Sequence, residues 1–197
     1  MDKQTVNVYN EKTEDYVRLI DRGAPGTALC DFVKRIKPNG LVLDIGCGPG
    51  NASAFMDSKG LRVDPIDASH EMIKLANEKF GLSARLMAFS DLSEVNKYHG
   101  VWANFSLLHA AKFDFYKHLK AINKALKRGG HFSLGMKLGK GEKRDFLGRF
   151  YAYYSRSELI SALTCSGFVY EFEYNGEEKG LVGNVEPWII LHTIKDN

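Results

Sequence analysis

Leu41-Val42-Leu43-Asp44-Ile45-Gly46-Cys47-Gly48-Pro49-Gly50-Asn51 is the stretch from which the rest of the chain is read. An apolar run ends in an acid, and three glycines follow at every second position. The apolar part predicts a strand of a parallel sheet covered on both faces. The glycines predict a tight strand-to-helix turn whose backbone comes close to a ligand. A dinucleotide turn carries glycines at its first, third and sixth positions. Here they stand first, third and fifth, and Asn51 is sixth. A helix starting at this turn offers free N–H groups to an anion such as a carboxylate.

Outward from this stretch, strand and helix alternate. A helical pattern runs from Glu11 to Ile36, broken at Gly23-Ala24-Pro25-Gly26. Its second part puts Leu29, Phe32, Val33 and Ile36 on one face. After the first strand come a helix over 51–58 and a second strand over 62–68 ending near Asp67. Pro65 is awkward in that strand because it cannot donate to a ladder. Ser69 is a good N-cap for the next helix, which Gly81 stops. Further strands are expected over 84–89, 100–106 and 131–137, with a helix before Gly129-Gly130. A polar loop is expected over 138–150. Ser155-Arg156-Ser157-Glu158 is a capping box, and two strands over 168–174 and 188–195 close the chain. Alternation implies an α/β fold with helices on both faces of a mostly parallel sheet. The final pair leaves no room for a helix between its members, so the last strand turns back antiparallel.

The 197 residues fit one domain. Apolar and charged fractions of 44% and 26% are those of an ordinary globular protein. The chain has no spanning apolar run of about 18 residues and no apolar core behind Met1-Asp2-Lys3-Gln4. Cys30, Cys47 and Cys165 are odd in number and widely spaced, which argues against a disulfide framework and fits a reducing cytoplasm. A net charge of +3 is too weak to imply nucleic acid. No membrane partner is expected, and the chain is read as a monomer or homodimer.

An open sheet binds its ligand beyond the carboxyl ends of its strands. Asp67 stands there, about 20 residues past the glycine turn, where a carboxylate accepts both hydroxyls of a ribose. Its alternative role is an N-cap, for which Ser69 competes. Ser90-Asp91-Leu92 offers an acid for an exocyclic amine and an apolar neighbour for a purine, or else a simple turn.

These segments resemble the class I S-adenosylmethionine (SAM)-dependent methyltransferases. Residues 42–50 match their first motif nearly letter for letter. Asp67-Ala68-Ser69-His70-Glu71-Met72 is similar to their second, whose acid binds the ribose. Ser90-Asp91-Leu92 matches the adenine-contact position. Asn104-Phe105-Ser106-Leu107-Leu108-His109 matches the strand-four segment beside the methionine part of SAM, and residues 126–132 the turn into strand five. The resemblance implies a three-layer α-β-α Rossmann-like fold with seven strands, the last antiparallel, and SAM as cosubstrate. It implies a single domain: a helical lid segment over 1–37, a SAM-binding core over 41–137, and a substrate-side loop, helix and strand pair over 138–197. The implied SAM contacts are Asp44, Gly46, Cys47, Gly48, Gly50, Asp67, Ala68, Met72, Ser90, Asp91, Leu92, Asn104 and Ser106. Tyr9 and Tyr16 are similar to lid residues of small members, and Tyr16 joins the SAM contacts. Asp64-Pro65 departs from the family's second strand, where apolar residues or glycine are usual.

Methyl transfer from a sulfonium is an in-line displacement, so most of the work is positioning. A base is needed only for a protonated nucleophile, and His109 is the best-placed candidate. The basic loop after strand five overhangs the site. From it, Arg149 and Tyr151 join His109 as candidates for binding the substrate, a small-molecule methyl acceptor. Two other readings compete: a catalytically silent SAM-binding protein of this fold, and a nicotinamide-dependent oxidoreductase.

Overall fold

The computed structural model describes residues 2–20 and 24–196. Three helices come first: α1 (Lys3–Glu11), α2 (Thr13–Ile20) and α3 (Thr27–Arg35). The core alternates β1 (Leu41–Ile45), α4 (Asn51–Ser58), β2 (Arg62–Asp67), α5 (His70–Phe80), β3 (Arg85–Leu86), β4 (Tyr98–Asn104), α6 (Lys112–Ala125) and β5 (Leu126–Lys137). Then come β6 (Glu142–Arg144), β7 (Phe150–Ala152), α7 (Arg156–Cys165), β8 (Phe168–Lys179) and β9 (Val185–Lys195). Seven strands form one sheet in the order β3-β2-β1-β4-β5-β9-β8, with β9 antiparallel to both neighbours and the ladders from β3 to β5 parallel. This is the expected architecture.

Strand alternation sends β1 side chains to opposite faces. Leu43 and Ile45 join the larger core under α6 and α7, with Phe115, Leu119 and Leu159. Val42 joins a second core with Phe32 of α3 and Met56 of α4. Asp44, on Val42's face, therefore lies against α4. Both faces are covered, which is why β1 reads as an unbroken apolar run.

Several boundaries differ from expectation. β5 starts at Leu126 rather than 131, so Gly129-Gly130 lie within the strand instead of ending α6, which stops at Ala125. A helix begins at Lys3, not Glu11: Asp2 caps it, accepting from the Thr5 amide. The third strand shrinks to two residues, because the chain turns through a short helical turn at Phe89–Asp91. That explains Pro65. The Ile66 carbonyl accepts from Gly46 and Cys47 on the β1 side, and the Asp67 carbonyl accepts from Met87 on the β3 side. Pro65 lies on Asp67's side, where β3 pairs only with Ile66 and Asp67, so its missing N–H removes no ladder bond. The expected loop over 138–150 contains the hairpin β6–β7. Asp145 nucleates its turn, accepting from the amides of Leu147 and Arg149. Finally, β8 and β9 extend as a hairpin to residues 179 and 185, beyond the expected pair.

The expected break at 23–26 starts at Gly23, outside the described residues. Among the described residues no helix is long and apolar enough to cross a membrane.

Candidate active site

Strand order reverses between β1 and β4, the place where an open α/β sheet holds its ligand. A cleft opens there, walled by the strand ends and covered by the first two helices. Gly46 and Gly48 line its base, Asp67, Ala68 and Met72 one side, and Asn104, Phe105, Ser106 and His109 the other. Tyr9 and Tyr16 cover it from the first two helices, and Met87 and Phe89 complete it.

The three glycines serve different ends. All have positive φ. A Cβ on Gly46 would sit 2.4 Å from the Ser106 Cβ, and one on Gly50 would meet Leu82 at 2.7 Å and Ala76 at 2.9 Å. Gly46 thus lets the turn close against β4, and Gly50 lets α4 pack on α5. Gly48, which lines the cleft beside Gly46, has nothing nearer its Cβ position than Tyr16 at 3.7 Å.

Asp67 bridges the turn. Its Oδ2 accepts from the Gly48 amide at 2.9 Å and its Oδ1 from the Ser69 amide at 2.8 Å. Each oxygen keeps a further lone pair. Burial pushes its carboxyl up, and the Ser69 and Gly48 amides pull it partly back. The N-cap role belongs to Ser69, whose hydroxyl accepts from the Met72 amide.

Asp44 turns away from the cleft and accepts from the Ser53 hydroxyl at 2.6 Å. Burial pushes it up to about 7, against that hydrogen bond and with the Asp67 charge adding. Cys47 is buried, and its thiol, pushed up by burial, donates to the Gly48 carbonyl. Ser90 and Asp91 are exposed and bonded to each other, and Leu92 is in the core. Their expected place on the cleft is taken by Met87 and Phe89. The short helical turn rotates Phe89 inward onto His118, ring centroids 4.8 Å apart. Sequence reasoning missed Met87, Phe89 and Phe105 because apolar residues at strand ends read as core.

His109 is buried, and both its nitrogens are engaged. Nδ1 lies 2.6 Å from the Phe150 carbonyl and so carries the proton. Nε2 therefore accepts from the Tyr9 hydroxyl at 2.9 Å. Burial pushes its pKa down to about 4 against the Phe150 carbonyl, which keeps the ring neutral. The Tyr9 oxygen accepts from Arg149 Nη1 at 3.2 Å. Arg149, 2% exposed, is held by Asp145 at 2.7 Å and lies over the Tyr9 and Tyr151 rings. Tyr151 packs on His109, centroids 4.7 Å apart. Arg149 and Tyr151 thus form a layer behind Tyr9 and His109, off the lining of the cleft. Three further cations of this region are also paired: Lys137 with Glu186, Arg144 with Asp2, Arg156 with Glu173.

The chemistry of the lining suits a nucleoside with an amino-acid tail. Asp67 keeps a lone pair on each oxygen for a ribose. Met72, Met87 and Phe89 provide apolar surface for a purine. Asn104 Oδ1 and Ser106 Oγ are buried without partners among the described residues. Buried polar atoms are normally satisfied, so these two are suited to a bound ligand.

Residues 42–130 match the methyltransferase domain family. A sarcosine/dimethylglycine N-methyltransferase of Aphanothece halophytica is 28% identical over 140 residues, 64% of this chain and 48% of that protein. The chain thus spans about half the length of that curated relative. The 1,6-didemethyltoxoflavin-N1-methyltransferase of Burkholderia thailandensis, solved with S-adenosylhomocysteine, superposes with a TM-score of 0.72 at 19% identity, covering 97% of this chain and 88% of that one. Magnesium protoporphyrin IX methyltransferase of Synechocystis, solved with SAM, gives 0.73 at 17% identity, covering 100% and 98%. The chain shares the fold of these solved methyltransferases, and its residues 42–130 match the methyltransferase domain model.

Proposed function

We propose that the chain binds SAM in this cleft and methylates a small-molecule acceptor. The observation that carries the reading is the half-buried Asp67 carboxylate on the wall of the cleft, tied to the glycine turn through Gly48 and still holding a lone pair on each oxygen. Asp67 takes the ribose hydroxyls. Ala68, Met72, Met87 and Phe89 hold the purine. Gly46, Gly48, Asn104, Ser106 and Tyr16 hold the amino-acid tail. Asp44, Cys47 and Gly50 act indirectly, by shaping the turn. SAM supplies a methyl group on a sulfonium, a good leaving group.

The protein's part is to orient the acceptor and to take its proton where it arrives protonated. His109 is neutral, and its acceptor nitrogen is reached through the Tyr9 hydroxyl. The pair therefore serves as the proton-handling end of the cleft. Arg149 and Tyr151 support the acceptor from behind, through Tyr9 and His109. Amines come first among acceptors, because the Aphanothece relative is named for N-methylation of sarcosine and dimethylglycine.

Calorimetry with SAM, S-adenosylhomocysteine and NAD tests the cofactor, and methyl-labelled SAM with a panel that includes sarcosine and dimethylglycine tests transfer. Asp67→Ala is expected to weaken SAM binding roughly 10- to 100-fold, the loss of hydrogen bonds to a charged group. Binding of NAD without SAM overturns the reading. Binding of SAM with no transfer across the panel favours a silent SAM-binding protein.

A further inference from the structure

The helix α1 is held over the cleft by little apolar packing. It has nine residues and buries only Thr5 and Val8. Isolated helices this short do not persist in water, so its order comes from what it touches. At its start, Asp2 accepts from the Thr5 amide at 2.9 Å and the Thr5 hydroxyl at 2.7 Å. The same carboxylate takes a bidentate pair from Arg144 of β6, both contacts at 2.9 Å. The Thr5 oxygen accepts in turn from the Phe150 amide of β7 at 2.8 Å. Arg144 is fixed from its own hairpin by the Gly148 carbonyl at 2.7 Å. At the other end of α1, Tyr9 reaches His109, and Asn10 accepts from the Ser69 hydroxyl at 2.6 Å.

The cap of α1 and its docking on the hairpin therefore share the same carboxylate. Opening the Asp2–Arg144 pair loosens the helix and uncovers the cleft together, and it withdraws Tyr9 from His109. The pair is also placed to open. Its side chains are 25% and 41% exposed, so water reaches both partners and can replace their contact.

We propose that Asp2 and Arg144 are positioning residues for the cleft: their ion pair is a latch that keeps α1 folded over bound ligand, and its opening sets the rate at which the demethylated product leaves. The product-release half rests on the methyltransferase reading above; the latch half does not. Neither residue lines the cleft, so each acts only through α1.

Asp2→Asn keeps a good N-cap while removing the charge, and Arg144→Met keeps length while removing it. Two measurements on the full chain test the latch. One is the dissociation rate of S-adenosylhomocysteine by stopped flow. The other is amide hydrogen exchange of residues 5–9 without ligand. Each single variant is expected to speed both about fivefold, and the double variant no more than either single, because one interaction is lost in all three. Unchanged rates, or effects that multiply in the double variant, overturn the latch. So does faster exchange spread through the sheet, which marks general destabilisation. Failure of the wild-type chain to bind S-adenosylhomocysteine overturns the methyltransferase reading and with it the release half, and the exchange data decide the latch by themselves.

Discussion

Asp44 and Asp67 end neighbouring strands, yet their surroundings give them different work. Asp67 faces the cleft and is ligated by amides. Asp44 faces α4 and meets one hydroxyl. Asp44 is raised from 3.8 to about 7, so the folded chain holds its proton more tightly than the unfolded chain. Stability from that group is full below pH 3.8 and is lost as pH rises through 7. Asp44→Asn, which keeps an acceptor for Ser53, is expected to flatten the fall in Tm between pH 5 and 8. Asp67, raised too, leaves a residual slope of the same sign, and His109, depressed, acts mainly on the acid side in both proteins. Parallel Tm profiles for wild type and variant remove Asp44 from this account. The motif marked both acids as important from sequence. Which one faces ligand depends on strand alternation and on the helix that covers each face.

At the scale of elements, the glycine turn joins β1, α4, α5 and β4 at one point. Gly50→Ala is expected to cost about 1–3 kcal/mol, combining a positive φ of 88° with Cβ contacts under 3 Å. Gly48→Ala has a milder φ of 55° and no close neighbour, so it should cost less stability and more ligand affinity. Thermal melts alongside calorimetry separate the two; equal losses of stability contradict the division of labour. The elements were legible wherever local chemistry was strong. Ser69, Gly81 and the Ser155–Glu158 box place the ends of α5 and the start of α7 where the sequence puts them. The misses came where partners outside the segment decide. α1 buries only Thr5 and Val8 and leans on Arg144, a residue 142 positions away. The hairpin β6–β7 hides in a charged stretch because its strands have three residues each and its turn depends on the Asp145 side chain. β3 stops early because Phe89 turns in to meet α6.

At the scale of the molecule, the cleft lies at the switch point and is covered by a helix that the substrate-side hairpin holds in place. A ligand that bridges β1, β2, β4 and the first two helices stabilises the whole fold. S-adenosylhomocysteine at about 100 times its Kd is expected to add about 2.7 kcal/mol, a rise in Tm of about 5–10 °C for a chain this size. NAD at the same concentration is expected to leave Tm unchanged. A rise with NAD and none with S-adenosylhomocysteine would reverse the cofactor assignment.

The sequence by itself determined the layers, the sheet with its reversed last strand, and the place of the glycine turn and Asp67 at the cleft. Those features rest on short-range signals: an apolar run, glycines at fixed offsets, an acid at a strand end, caps. Only the tertiary structure decided the surroundings of His109 and Arg149. Arg149 stood out in sequence as a candidate substrate contact, and the fold pairs it with Asp145 behind Tyr9. His109 stood out as a base, and the fold gives one nitrogen to the Phe150 carbonyl and the other to Tyr9. Each of these assignments depends on contacts between residues up to 140 positions apart. No local pattern encodes such contacts, because they form only when α1, the end of β4 and the hairpin are brought together.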